Sequence, residues 1–435
     1  MRTILLLAFS ALALVATPAA AKLSPAESKM ALTVDAEQER TLQMLEKWVN
    51  QNSGSLNIPG VTKVGEMLRA ELEPLGFKVQ WVDMRETGRA GHIIATHKGN
   101  GRGKRMLLIG HLDTVFELDS PFQRWERRGN EGVGPGSGDD KGGMAVMIAA
   151  LRAMHSAGTL KKADIEVVLT GDEEDNGVPI DIARRDLVAA GKRADAALDF
   201  EGLAQQDGKD MGSIARRSSG AWTLTVTARP GHSSGIFSPS GGNGAIYELA
   251  RIIDTFRREL PEDKLTFNVG LIGGGQTSEL DAGRIRIAAT GKTNIIPAVA
   301  VARGDLRALT PEQIARVKAK MAAIAAQPLA GATAKLEFDP DEYPPMAPTE
   351  GSRALLAKLN GVNADMGLEP MGELDPMKRG AGDISFVAKD VDGLIGMGPA
   401  SDGDHAPGER VDISSIWRQS KRAAILMSRL AAEKR

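Results

Sequence analysis

Cysteine is absent from the 435 residues. Disulfide scaffolds, thiol nucleophiles, iron–sulfur clusters and thiolate zinc sites are excluded with it, so any metal must be held by His, Asp and Glu. Aromatic residues are scarce, with 5 Trp, 2 Tyr and 10 Phe, whereas Gly is abundant at 49. That mix suits an α/β enzyme rich in tight loops and suits poorly a sandwich built on aromatic pairs. Neither sign of charge is in excess: 54 Lys+Arg against 56 Asp+Glu leaves a formal charge of −2. Phosphate binding needs a basic excess or stripe, so no nucleic acid is expected as the main partner. Beyond the N-terminus no apolar run is long enough for a transmembrane helix. The Gly-rich stretches Gly132–Gly136 and Gly273–Gly275 lack the spacing of nucleotide loops. What is there is a hydrophobic fraction of 42%, enough for buried cores. At about 150 residues per domain, the length points to two or three domains.

Residues 1–21 read MRTILLLAFSALALVATPAAA. Arg2 gives a positive start, Ile4–Val15 is an apolar run too short to span a bilayer comfortably, and Ala19-Ala20-Ala21 supplies small residues for cleavage. This is the pattern of a signal peptide. The expected mature chain begins near Lys22, has no membrane anchor and is periplasmic or secreted.

Short apolar runs end in polar clusters: Met106–Ile109 before Gly110-His111-Leu112-Asp113, Ile165–Leu169 before Thr170-Gly171-Asp172-Glu173-Glu174, Ala196–Leu198 before Asp199-Phe200-Glu201, and Leu394–Met397 before a loop holding His405. Residues 36–75 read as helical with a break at Ser53-Gly54-Ser55, and Lys141–Ala157 carries apolar residues at helical spacing. Strands alternating with helices predict an α/β catalytic domain with a mostly parallel sheet, built from 22–212 and 328–435. The middle, 213–327, reads as an inserted α+β domain. Trp222–Ala228 alternates as a strand with one wet face, Gly244–Glu259 and Leu309–Ala326 are helical, and Leu265–Ile272 and Arg284–Ala289 read as strands.

In open α/β sheets reactive groups sit beyond the carboxyl ends of the strands. His111, Glu173, Glu174, Glu201 and His405 each follow such an end, and Asp139 lies in the Gly-rich loop Gly134–Gly143 just before a helix. Crowded carboxylates raise each other's pKa, and cations relieve that repulsion. Imidazoles and carboxylates together suit zinc, with cobalt or manganese as substitutes. If Asp139, Glu174 and Glu201 bind metal with His111 and His405, their three charges face the four of two divalent ions. Glu173 is then left beside them as general base. Asp113, two residues along an extended run, shares a face with His111 and can hold its tautomer.

The motifs Gly110-His111-Leu112-Asp113-Thr114-Val115, Gly134–Gly143 and Gly171-Asp172-Glu173-Glu174 resemble those of the two-zinc metallopeptidases. That family includes glutamate carboxypeptidase, aminoacylase, acetylornithine deacetylase and succinyl-diaminopimelate desuccinylase. The likeness spans about residues 36–420, and the layout looks most like glutamate carboxypeptidase. The resemblance implies two zinc ions per chain, with Asp139 bridging them, His111 and Glu201 completing one, Glu174 and His405 the other, and Glu173 as base. It implies that residues 213–327 form a lid that drives homodimerisation. In that lid Gly231-His232-Ser233-Ser234 resembles the family's histidine motif, so His232 would steady the oxyanion in the partner's site. Asn294 and Arg307 would hold the substrate's carbonyl and carboxylate ends, and Gly380 would line the leaving-group pocket.

The implied activity is carboxypeptidase-like hydrolysis of amide bonds, releasing a C-terminal amino acid from small peptides or N-acyl amino acids. A dipeptidase, an N-acyl amino acid deacylase or a catalytically silent binding protein are the alternatives. One stretch departs from the pattern. A glutamate-releasing member would place an Arg between Ala334 and Met346, where this chain has Asp339, Asp341 and Glu342, read here as a solvated loop. His92, His97 and His155 match no site motif and are expected to be structural or exposed.

Overall fold

The computed structural model describes residues 23–435. The expected leader, 1–21, lies outside the described residues. Among the described residues no helix is long and apolar enough to cross a membrane.

The main sheet has six strands. Its centre is parallel: Arg105–His111 lies between Asp164–Thr170 and Ala196–Asp199, and Gly393–Leu394 pairs outside the last. Two antiparallel strands, Gly91–His97 and Lys78–Asp83, complete the other edge. The centre reads as unbroken apolar runs because both faces are covered. Met106 and Leu108 face one core layer with Val167 and Leu198, beneath the helices Lys141–Ser156 and Ile413–Ala432. Leu107 and Ile109 face the other, with Val168, Ala197 and Ile384. The edge strand Lys78–Asp83 is only partly buried, and the expected 36–75 helical region is three helices, Pro25–Ala36, Gln38–Val49 and Ile58–Leu72. The first begins well before residue 36, where Ser24 and Glu27 form a reciprocal capping box.

A second, antiparallel sheet is built around Gly220–Ala228 and Val299–Arg307. Trp222, Leu224 and Val226 are buried under the helices Gly244–Glu259 and Pro311–Ala325, and Trp222 meets Phe256 edge-on at 5.9 Å between ring centroids. The expected strand 265–272 is split into Thr266–Phe267 and Leu271–Gly275, both paired with Val299–Arg307, and the 284–289 strand starts only at Ile287. The strand Ala332–Phe338 also belongs to this sheet, paired with Gly220–Ala228. The small sheet therefore runs past 327, the boundary read from the sequence. The reason is the alternation Ala332, Ala334, Leu336, Phe338, which packs on the same small core.

The two crossings between the sheets run side by side. Ser219 and Tyr343 exchange backbone hydrogen bonds (3.1 and 2.9 Å), as do Arg216 and Met346 (both 2.9 Å). This short ribbon is the covalent link between the small sheet and the rest.

Candidate functional site

His111 is the last residue of its strand, in register with Thr170, so the 171–174 loop starts beside it. Its Nδ1 faces the Asp113 carbonyl at 3.2 Å and the Asp113 carboxylate at 3.4 Å. Asp113 is fully buried and accepts three further hydrogen bonds, from the Ser55 hydroxyl (2.6 Å) and the amides of Glu173 (3.0 Å) and Glu174 (3.1 Å). Burial alone would raise its pKa, but His111, Ser55 and the Glu173 amide outweigh burial and hold it below the usual range. One carboxylate thus ties the imidazole to the acidic loop. His92, expected to be structural, props the same loop: its ring faces the Gly171 amide at 3.1 Å and the Ala183 carbonyl at 2.9 Å.

Asp139 lies at the centre. One of its oxygens meets His111 Nε2 at 2.9 Å, and the other meets His405 Nε2 at 3.1 Å. His405 Nε2 also stands 3.2 Å from Glu174. The Asp139 loop is shaped by Glu409, whose carboxylate accepts from the amides of Gly136 (3.0 Å), Gly138 (2.7 Å) and Asp139 (3.0 Å). The peptide bond between Asp139 and Asp140 is cis. The following helix packs so tightly that a side chain at Gly143 would strike the Phe200 carbonyl, which explains one glycine of the motif. His405 itself sits at φ 65°, a left-handed conformation that a non-glycine residue adopts rarely and mostly where a site demands it.

The electrostatics follow from this packing. Burial opposes charge on His111, yet Asp113 and Asp139 raise its pKa well above the ordinary value. Bonds to Asp139 and Glu174 push His405 up to about 11. Asp139, despite its burial, is held well below the usual carboxylate range by both rings. Burial pushes Glu173 well above that range and also raises Glu174. Two positive centres around one carboxylate is the pattern that a pair of cations would satisfy with both rings neutral. His111, Asp139 and Glu174 each bring one donor atom within 4.8 Å of the others, so this donor set fits a divalent ion.

Glu201 stands apart from that trio. Its carboxylate is engaged by the buried guanidinium of Arg216, which also reaches the Ala381 carbonyl. Asp139, Glu173, Glu201 and His405 nonetheless open into one cleft of about 300 Å³, together with Arg216, Lys378, Arg379, Gly380, Ala381 and Asp404. The cationic members Arg216, Lys378 and Arg379 were missed in the sequence. Isolated basic residues carry no motif, and only the folding of three segments onto one cleft brings them together.

The residues expected in the lid divide. His232 is exposed, with its ring on the Ser234 hydroxyl at 2.8 Å, and the Ser233 amide donates to the Asn294 carbonyl at 3.0 Å. His232 and Asn294 are thus neighbours, and neither lines the cleft. Arg307 pairs with Asp305 at 3.2 Å, and a methyl group placed on Gly380 would stand 4.0 Å from its guanidinium, so Arg307 reaches the cleft rim. The acidic stretch read as a solvated loop is a correction. Asp339 is paired with Arg303 (2.6 Å) and Arg284 (2.5 Å), Asp341 accepts from the Ile180 amide (2.9 Å) and Glu342 is paired with Lys318 (2.6 Å). These carboxylates are half-buried and committed because the basic partners lie on neighbouring elements, out of sight in the local sequence.

Comparison with known proteins agrees with this geometry. Carboxypeptidase G2 of Pseudomonas sp. (strain RS-16) is 29% identical over 413 residues, covering 92% of this chain and 91% of that protein. A succinyl-diaminopimelate desuccinylase of Methylocella silvestris is 30% identical over 305 residues, covering 66% of this chain and 74% of that protein. Among solved structures, aminopeptidase PepT of Bacillus cereus matches with a TM-score of 0.72 at 19% identity, over 91% of this chain and 99% of that one. The YXEP protein of Bacillus subtilis, described as a dinuclear metal binding peptidase from the M20 family, matches with a TM-score of 0.64 at 16% identity, over 92% and 99%. The description of peptidase family M20/M25/M40 fits residues 107–429, more than half of the chain, and this protein belongs to that family of hydrolytic enzymes.

Proposed function

We propose that this chain is a zinc-dependent exo-hydrolase of amide bonds that works as a carboxypeptidase, releasing a C-terminal amino acid from small peptides or N-acyl amino acids. The observation that carries this reading is Asp139, which offers one carboxylate oxygen to each of two imidazoles, the posture of a ligand shared by two ions. His111, Asp139, Glu174, Glu201 and His405 would hold two zinc ions. When bound, that pair would polarise the scissile carbonyl and lower the pKa of the attacking water.

The chain's own groups supply the rest. Glu173 accepts the water proton on its carboxylate and returns it to the leaving nitrogen. Asp113 fixes the His111 tautomer and both amides of the acidic loop. Arg307, beside Gly380 at the cleft rim, forks the terminal carboxylate of the substrate. His232 and Asn294 lie away from this chain's own cleft, which favours their use in a second copy's site, as the lid-mediated homodimer requires. There His232 would steady the oxyanion and Asn294 would hold the substrate carbonyl. Residues 1–21 would export the enzyme to the periplasm or medium.

The test is metal content per chain by mass spectrometry on protein purified without chelator, followed by hydrolysis of blocked N-acyl amino acids and free dipeptides. About two zinc ions per chain, with release of the C-terminal residue from blocked substrates, is the expected result. No bound metal after incubation with zinc would overturn the proposal. Cleavage of free dipeptides alone would replace it with a dipeptidase.

A further inference from the structure

The backbone of Glu173 is held at both of its peptide groups. Its amide donates to Asp113, which sits on the main sheet's carboxyl edge (3.0 Å). Its carbonyl accepts from the Tyr343 hydroxyl (2.9 Å). Tyr343 does not belong to the main sheet. It lies on the return crossing from the small sheet, within the ribbon that its backbone forms with Ser219.

The hydroxyl is itself fixed. Arg184 donates to it at 2.8 Å while binding Asp383 (2.7 Å) and Asp172 (2.6 Å), all of them buried. The Tyr343 ring packs edge-on against Phe386 at 4.9 Å, and the Arg184 guanidinium lies 5.7 Å from its centroid. A buried charge held this way resists displacement, because any shift leaves polar groups unpaired at low dielectric. The connection from the ribbon to the acidic loop is therefore stiff. A rotation of the small sheet about its two crossings moves Tyr343, and Tyr343 moves the Glu173 carbonyl.

We infer that Tyr343 is a positioning residue that couples the small domain to Glu173: the hydroxyl on the hinge ribbon sets the direction of the carboxylate that takes the proton. This rests on the reading of Glu173 as base. The coupling gives closure of the lid a physical route to the proton-transfer geometry, where displacements well under a hydrogen-bond length matter.

Tyr343→Phe removes the hydroxyl and keeps the ring. With the best substrate from a panel of N-acyl amino acids and dipeptides, kcat should fall about 10- to 100-fold while KM stays within about twofold, as misplacement of a catalytic group predicts. In a Glu173→Gln background the same change should have little further effect on the residual rate, because the two residues act through one step. Wild-type kcat in Tyr343→Phe overturns the inference and leaves the function intact. Full activity in Glu173→Gln overturns the reading of Glu173 as base, on which the inference rests. Equal fold-losses in both backgrounds, or loss of zinc or of a cooperative melt in Tyr343→Phe, would make Tyr343 a structural residue and overturn the inference. Phe386→Leu loosens the ring and leaves the hydroxyl in place. It should lower Tm with a kcat loss well below that of Tyr343→Phe, and a kcat loss matching Tyr343→Phe would assign the effect to packing and overturn the coupling.

Discussion

Asp113→Asn is a change of one atom at a residue with no solvent exposure. The carboxylate accepts from Ser55, from the amides of Glu173 and Glu174, and faces His111 Nδ1. The carboxamide keeps one oxygen and turns its other arm into a donor. Because the amides of Glu173 and Glu174 bind different oxygens, one of them must face that NH2, donor against donor. A buried donor left without an acceptor costs about 1–3 kcal/mol. Loss of a charge-assisted bond to the other groups raises the sum to about 2–4 kcal/mol. At about 2 cal/mol/K of unfolding entropy per residue, a chain of this length should melt about 2–5 °C lower. The larger effect should fall on the site. His111 loses the carboxylate beside its Nδ1 and keeps there only the Asp113 carbonyl, and loss of such a second partner costs about 10- to 100-fold in metal affinity. The assay is a zinc titration against a chromophoric chelator, run beside thermal melts and steady-state rates. Wild-type zinc affinity and wild-type kcat in Asp113→Asn would refute the reasoning, whatever happened to Tm.

Glu173→Ala should retain its zinc and lose turnover by about three or more orders of magnitude, measured as metal per chain and kcat on the same sample. EDTA should abolish activity and lower Tm, and zinc should restore both, because Asp139, Glu174 and their neighbours are left as crowded carboxylates without a cation. Asp210→Asn probes an ion-pair cluster outside the cleft lining. Burial raises the Asp210 pKa, but Gln205, Arg422 and Arg418 outweigh burial and hold it below the ordinary 3.8. A depressed folded pKa stabilises above the unfolded value and ceases to do so as pH falls through the folded one. The Tm gap between wild type and Asp210→Asn should therefore be widest near neutrality and close as pH drops below about 4. A gap that widens with acid would contradict the pairing.

The main sheet's centre and the residues at its carboxyl edge were legible because both carry local signals. Met106–Ile109 and Ile165–Leu169 are continuous apolar runs, and His111, Asp139, Glu173 and Glu174 stand in short motifs next to them. The strands Lys78–Asp83 and Gly91–His97 were not read, since the first, at the sheet edge, is half open to water, and the second, though mostly buried, breaks its apolar residues with Gly91, His92, Thr96 and His97, so neither shows a clean period. The helix Pro25–Ala36 was signalled by Ser24 and Glu27, three residues apart, and went unread beside the apolar leader. The small sheet's end was misplaced because the apolar face of Ala332–Phe338 opens on the two small residues Ala332 and Ala334, a weak signal that becomes a strand through pairing with Gly220–Ala228. Arg216, Lys378, Arg379 and Tyr343 could not have been assigned from the sequence. Each gains its meaning from a partner more than a dozen residues away, such as Glu201 for Arg216 and the Glu173 carbonyl for Tyr343.

The order of the strands along the chain has a consequence for how the molecule comes into being. The small sheet is drawn from one continuous stretch, 220–338, so all of its strands are made before the main sheet has its last one. The main sheet must wait. Its outer strand, Gly393–Leu394, and the helix Ile413–Ala432 that covers Lys141–Ser156 are synthesised only after the small sheet. Until they arrive, the edge of Ala196–Asp199 is open and one face of the most apolar helix is bare. His405 lies in the same late segment, so the site and the core beneath it are completed together. A chain that stopped near residue 390 would hold a finished small sheet attached to an unfinished body, one exposing an unpaired strand edge and apolar surface to aggregation.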